Sequence, residues 1–202
     1  MKEKKGESKK IILISIIISI LLLTLVIVAF VYFSNNKPQE IINETLNGGE
    51  VSLTYSDEDS SFSILKATPT SDITGKKLDS ADKYFDFTVT STIKEANKIE
   101  YEIFLDKLEE LSSIKDEDIK IYLEKQKKGT YVSVFEPNKF EGLKKKSKLG
   151  TDKGSMVIYS GSIEDDSTEN YRLRLWLSDK ALVNSNISQD YSVEIGISAK
   201  AK

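Results

Sequence analysis

Phe85-Asp86-Phe87-Thr88-Val89-Thr90-Ser91-Thr92-Ile93 and, a few residues on, Ile99-Glu100-Tyr101-Glu102-Ile103-Phe104-Leu105 are the stretches whose reading decides the fold class. In the first, Phe85, Phe87, Val89, Ser91 and Ile93 alternate with Asp86, Thr88, Thr90 and Thr92. In the second, Ile99, Tyr101, Ile103 and Leu105 alternate with Glu100 and Glu102. A period of two sends successive side chains to opposite sides of an extended chain, so each run has one face for a core and one for water. The connection Glu95-Ala96-Asn97-Lys98 is of hairpin length.

The same alternation recurs on both sides. Val51, Leu53 and Tyr55 alternate with Ser52 and Thr54. Ile119, Ile121 and Leu123 alternate with Lys120, Tyr122 and Glu124, and a Lys127-Lys128-Gly129 turn leads to a return strand over Tyr131–Phe135. Met156–Ile163 is a further strand. Tyr171, Leu173, Leu175 and Leu177 share a face opposite Arg172, Arg174 and Trp176, and Tyr191, Val193, Ile195 and Ile197 alternate with Ser192, Glu194, Gly196 and Ser198. Ala81–Lys83 and Asp106–Leu111 read as single helical turns. Eight or nine strands with one polar face each pack as two stacked antiparallel sheets. The expected fold is therefore all-β, an antiparallel sandwich of immunoglobulin-like or jelly-roll-like type over residues 50–202. Phe87, Tyr101, Leu173 and Val193 are expected in its core. Thr68–Ser80 and Pro137–Gly154 read as its long polar loops.

Upstream the character changes. Residues 34–49 carry Asn35, Asn36, Pro38, Asn43, Asn47, Gly48 and Gly49 without sustained periodicity and read as a linker. Ile11–Phe33 holds 23 residues with no charge. As a helix it would measure about 34 Å against a hydrocarbon core of about 30 Å. Lys2, Lys4, Lys5, Lys9 and Lys10 precede it, so the positive-inside rule places residues 1–10 in the cytoplasm and the rest outside the cell. A cleaved signal peptide is the competing reading. The apolar run exceeds the usual 7–15 residues or so of a signal core, and no A-x-A site is present, the nearest option putting Ile27 three residues before a cut after Ala29. The stretch is thus expected to be an uncleaved single-pass anchor in the cell membrane, with the lipid bilayer as its partner.

Composition excludes several classes of function. The chain has no His and no Cys among its 202 residues. That removes disulfides, thiolate chemistry and the commonest transition-metal ligands. The net charge is −3 at pH 7, which gives no support for nucleic-acid binding. A Lys- and Ile-rich chain without cysteine suits an extracellular protein of a low-GC Gram-positive bacterium. No phosphate loop, nucleophile elbow or paired carboxylates can be placed, so no enzyme, metal or cofactor is expected.

Three acidic clusters, Asp57-Glu58-Asp59, Asp116-Glu117-Asp118 and Glu164-Asp165-Asp166, offer oxygen ligands for Ca²⁺ but lack the spacing of a binding loop, and they read as solvated turns. Two surfaces are candidates for contact with a partner. One is Arg172 and Arg174 beside Trp176, because Arg and Trp are enriched at binding hot spots. The other is Lys144, Lys145 and Lys146, which could meet anionic wall polymer or lipid.

Tyr32-Phe33-Ser34-Asn35, at the end of the apolar segment, and Gly49-Glu50-Val51-Ser52-Leu53, opening the first alternating strand, resemble the TasA/camelysin group of Gram-positive surface proteins. The closing strand Tyr191–Ala199 is similar in character. The resemblance covers these short pieces and the order of parts. It implies a β-sandwich and extracellular filaments of the biofilm matrix, for a group typically released by cleavage, which the poor site at Ala29 disfavours here. Two functions follow: a structural or binding role at the cell surface, by self-association or with an envelope protein, and, as the alternative, the extracellular ligand-sensing part of an envelope signalling system. N-terminal sequencing of membrane and medium fractions is expected to find residues 1–33 retained in the membrane; a mature N-terminus between Phe30 and Asn36 would mean cleavage.

Overall fold

The alternating runs become strands because each buries one face completely. In the computed structural model, Gly49–Tyr55 and Phe85–Ile93 bury every second side chain along most of their length. The structure describes residues 41–46, 48–55, 60–143, 147, 149, 155–182 and 188–202, all within a compact unit spanning Gln39–Lys202. The proposed span Ile11–Phe33 lies outside these residues. Among the described residues no helix is long and apolar enough to cross a membrane.

Ten strands form: β1 (Ile41–Leu46), β2 (Gly49–Tyr55), β3 (Ser61–Ile64), β4 (Phe85–Ile93), β5 (Ile99–Lys107), β6 (Ile119–Lys127), β7 (Thr130–Lys139), β8 (Met156–Ile163), β9 (Ser167–Leu177) and β10 (Tyr191–Ala201). They make two antiparallel sheets, one of six strands in the order β1-β2-β4-β9-β6-β7 and one of four in the order β3-β10-β5-β8. Within β3–β10 the pairing is nested. β6 pairs with β7 across the Lys128-Gly129 turn, β5 with β8, β4 with β9 and β3 with β10. Each strand thus meets its mirror image about that turn, where Lys128 and Gly129 both take positive φ. β2 then adds beside β4, and β1 beside β2.

The inner faces share one apolar core. Phe87, Val89, Leu173, Leu175 and Leu123 from the larger sheet join Tyr101, Ile103, Leu105, Val193 and Ile195 from the smaller. The four expected core residues are all inside. Phe87 stacks on Tyr171 at 5.4 Å, and the Tyr55 hydroxyl donates to the Ile195 carbonyl at 2.5 Å, tying the sheets together.

Four expectations need correction. Residues 41–46 are not linker but β1, and Gly49 already belongs to β2. Six pairs from Ile41↔Thr54 to Leu46↔Gly49 define this hairpin. Its sequence signal was the Asn47-Gly48 dipeptide, since Gly48 has φ 103°, a value that favours glycine in a tight turn. β3 also went unseen, because Ser-Phe-Ser-Ile is too short for a period to show; pairing with β10 holds it. The Glu95–Lys98 connection does not close a hairpin. It crosses from the larger sheet to the smaller, pinned by the Gly48 carbonyl, which accepts from Lys94, Glu95 and Ala96, and by the Lys202 carbonyl, which accepts from Asn97 and Lys98. Finally, Pro137–Lys139 belong to β7, and Phe140–Leu143 form a 3₁₀ turn with Phe140 and Leu143 buried, so this part of the expected loop is built into the core.

Because neighbouring strands alternate in direction, the connections fall at two ends. The turns at 47–48, 94–98, 128–129 and 164–166, with the C-terminus, lie at one. At the other lie the connections 65–84 and 108–118 and the strand ends Tyr55, Lys139, Met156, Leu177 and Tyr191, and this is also where β1 begins. Truncating Phe87 removes a ring packed between the sheets. Phe87→Ala is expected to lower stability by about 3–5 kcal/mol, read as a shift in the urea midpoint of the full-length chain in mild detergent; an unchanged midpoint would show that the ring is not part of the core.

Candidate functional site

The outer face of the larger sheet brings together the Arg and Trp residues singled out in the sequence. Register places Asp86 opposite Arg172, and the guanidinium meets that carboxylate in a two-pronged pair at 2.7 and 2.6 Å. The same guanidinium lies between two rings, 3.9 Å from the Tyr84 centroid and 4.4 Å from that of Tyr131. The hydrogen bonds that Arg172 donates to Asp86 outweigh burial and push its pKa further up, so its charge is permanent. Arg174 donates to the Leu78 carbonyl at 2.7 Å and pairs with Glu124. Beside this row a shallow cleft of about 240 Å³ is lined by Thr54, Asp86, Thr88, Tyr131 and Asn170.

These side chains do not present the open contact surface that a hot spot requires. Residues 65–84 cross the sheet as a strap, and the short helix α1 (Asp72–Gly75) sits directly on the indole of Trp176. Gly75 is required there because a Cβ would collide with the ring. Trp176 is 2% exposed and Arg174 6%. Lys76 reaches from the strap to Glu136 at 2.5 Å and lies over the Tyr122 ring, while Lys120 pairs with Asp72 at 3.4 Å. The sequence pattern alone could not distinguish a covered second face from a presented one. Lys144, Lys145 and Lys146 lie outside the described residues, as does the Asp57-Glu58-Asp59 cluster.

A second polar group sits between the sheets and was missed in the sequence. Glu169 accepts from the Tyr101 hydroxyl at 2.6 Å, from the Tyr171 hydroxyl at 2.9 Å and from Lys125 at 2.6 Å. The two hydroxyls are 2.5 Å apart. Burial pushes both phenols up, so they stay protonated donors. Burial would also raise the Glu169 carboxyl, but the hydrogen bonds from Lys125, Tyr101 and Tyr171 outweigh it and hold the group below the usual carboxylate range. In the sequence these residues belong to separate strands; only the register brings them together.

A third site lies among the connections at the end where β1 begins. There a groove of about 400 Å³ is lined by Ser63, Ser112, Ser113 and Ser192 with Leu65 and Leu111. Ser63 and Ser192 share a hydrogen bond at 2.7 Å, and the Ser112 hydroxyl accepts from the Ser192 backbone at 3.0 Å.

The remaining acidic clusters do structural work. Asp116 accepts from the Tyr191 hydroxyl and from Lys107, both at 3.0 Å. Asp166 accepts from the Ile93 backbone at 2.7 Å. Among the described residues no group of three or more acidic side chains could hold a metal ion. No known protein family, curated protein or solved structure matches the chain.

The position of Glu169 has a consequence for stability. Its folded pKa lies below the unfolded value near 4.5, so its contribution is present above that pH and is lost as pH falls through the folded pKa. Glu169→Gln is expected to cost about 1–2 kcal/mol at pH 7, with the gap to the parent narrowing below about pH 4.5. Unfolding curves of both proteins from pH 7 to pH 3 test this; a constant gap would mean that the charge of Glu169 contributes nothing.

Proposed function

We propose that the chain is a membrane-anchored extracellular protein with a structural or binding role at the cell surface, acting through another copy of itself or an envelope protein. Residues 1–10 would face the cytoplasm, Ile11–Phe33 would span the bilayer, and the sheets would stand outside. The observation that carries the binding role is the state of the charged groups on the broad outer face. Arg172 is paired with Asp86, Arg174 with Glu124, Lys76 with Glu136 and Lys120 with Asp72. Groups committed to one another and covered by the strap in this way build a rigid, internally neutralised face, which suits a structural support more than turnover and leaves contact with a partner to the sheet edges.

Of the two sandwich types, the nested pairing of β3–β10 favours the jelly roll, in which a folded-back ribbon of eight strands wraps into two sheets. The resemblance to the TasA/camelysin group agrees with such a domain following an N-terminal apolar segment, and it adds self-association as the favoured mode. Among the described residues β1 is an edge strand of the larger sheet, which supports this mode. β7, at one edge of the larger sheet, carries Pro137, Lys139 and irregular register, features that discourage pairing with another chain. β1, at the opposite edge, has neither Pro nor Lys within Ile41–Leu46.

The alternative, ligand sensing, draws on the serine-lined groove among the connections, which has the size of a small-molecule site. A cytoplasmic tail of ten residues could hold no output domain, so a sensor would need a separate signalling partner. Electron microscopy and sedimentation of the detergent-solubilised full-length chain decide between the two. Ordered assemblies that grow with concentration are expected. Monomers at every concentration would remove self-association and leave the envelope-partner and sensor readings.

A further inference from the structure

Leu65, Ile73, Leu111 and Leu182 are the large apolar side chains that stand exposed among the described residues, at 61%, 75%, 58% and 96%. Leu65, Leu111 and Leu182 stand in segments that leave the strands at the end of the fold where β1 begins, and Ile73, carried by the strap, sits over the outer face beside Trp176, the next-to-last residue of β9 at that end. The turns at the opposite end present no large exposed apolar group among the described residues; they consist of residues such as Lys94, Glu95, Lys128, Gly129 and Asp165. Such one-sided placement is not expected of apolar side chains scattered singly over a surface.

Each of the four also has a lysine close by in sequence. Lys66 follows Leu65, Lys77 lies four residues after Ile73, Lys115 four after Leu111, and Lys180 two before Leu182. Long lysine stems lie along apolar surface while their ammonium groups remain at a polar boundary. Projecting apolar tips flanked by lysines fit the zone where lipid headgroups meet acyl chains.

We infer that this end of the fold docks onto the surface of the lipid bilayer, inserting Leu65, Ile73, Leu111 and Leu182 at the headgroup level. The inference rests on the reading of Ile11–Phe33 as a membrane anchor. Seven residues, 34–40, join that stretch to β1, and a connection of that length reaches at most about 25 Å. On that reading of Ile11–Phe33, chain length alone keeps the start of β1 within this reach of the bilayer. The three connections 65–84, 108–118 and 178–190 hold ten acidic residues, among them Asp72 and Glu110, against six lysines. Contact therefore depends on the tether and the apolar tips rather than on attraction to anionic lipid from a distance. A second copy of the chain is the competing occupant, but a partner surface needs a continuous patch, whereas Leu65 and Leu111 meet at one groove and Ile73 and Leu182 stand on other stretches of the connections.

The test uses the absence of cysteine. Full-length chains carrying one of Leu65→Cys, Ile73→Cys, Leu111→Cys, Leu182→Cys or, as a control at the far end, Lys128→Cys are labelled with an environment-sensitive fluorophore. They are then reconstituted into phosphatidylcholine–phosphatidylglycerol vesicles. All five positions are on the surface, so folding is preserved, which an unchanged urea midpoint verifies. The expected result is a several-fold rise in emission at two or more of the four positions, quenched by lipid-attached nitroxide, with the control quenched only by aqueous iodide. Four labels quenched by iodide as freely as the control would overturn the inference while leaving the anchor intact. Labels that are shielded from iodide yet untouched by the lipid nitroxide would assign the surface to a second copy and overturn it equally. A chain released from the vesicles by alkaline carbonate would instead remove the anchor, and the inference with it.

Discussion

The mirror pairing of strands about the Lys128-Gly129 turn is the constraint from which the rest of the structure follows. Buried backbone amides and carbonyls must be hydrogen-bonded, and here most of those in β3–β10 are satisfied by a partner at nearly equal sequence distance on the other side of one turn. Wrapping that ribbon into two layers creates the second set of pairs, β5 with β10 and β6 with β9. It also decides that every short turn falls at one end and that the strands feeding the long connections end at the other. The strap over Trp176, the serine groove and the four exposed apolar side chains all belong to those long connections.

Polar groups are handled differently inside and outside this frame. Between the sheets, Glu169 is tolerated because three donors converge on it, an arrangement that compensates the loss of water. On the outer face, charge is neutralised pairwise and then covered: Arg172 by two tyrosine rings, Arg174 by the strap. The covering leaves one cost. The Nε1 of Trp176 is buried beneath the strap without a hydrogen-bond partner, and the packing of α1 on the indole must outweigh that loss.

How much of this the sequence disclosed depended on whether a strand buries one face over its whole length. β4, β5, β9 and β10 do so over seven residues and β6 over five, and their alternation was legible together with Phe87, Tyr101, Leu173 and Val193. β1 and β3 were not legible, being short and rich in polar residues, with stability that comes from β2 and β10 rather than from their own pattern. Which strands pair was hidden for a different reason. Glu95–Lys98 has the length of a hairpin, yet the backbone carbonyls of Gly48 and Lys202 direct it across the gap between sheets, and these residues are remote in sequence. The polar sites suffered the same loss. Asp86, Glu169 and Arg172 were all visible as residues, but their partners follow from register. Coverage of Arg174 and Trp176 depends on the close approach at Gly75, which no period reveals.

β10 occupies the middle of the smaller sheet, between β3 and β5, although it is the last strand to be made. A ribosome adding about 5–20 residues per second needs about 4–17 s to travel from the end of β5 at Lys107 to the start of β10 at Tyr191. Throughout that interval β3 and β5 have edges that nothing in the chain can yet satisfy. The growing polypeptide must therefore be kept from joining its neighbours by something other than its own fold, whether low local density or a helper that binds the open edges. The crowding of nascent chains, rather than the stability of the finished domain, then limits how fast a cell can produce it.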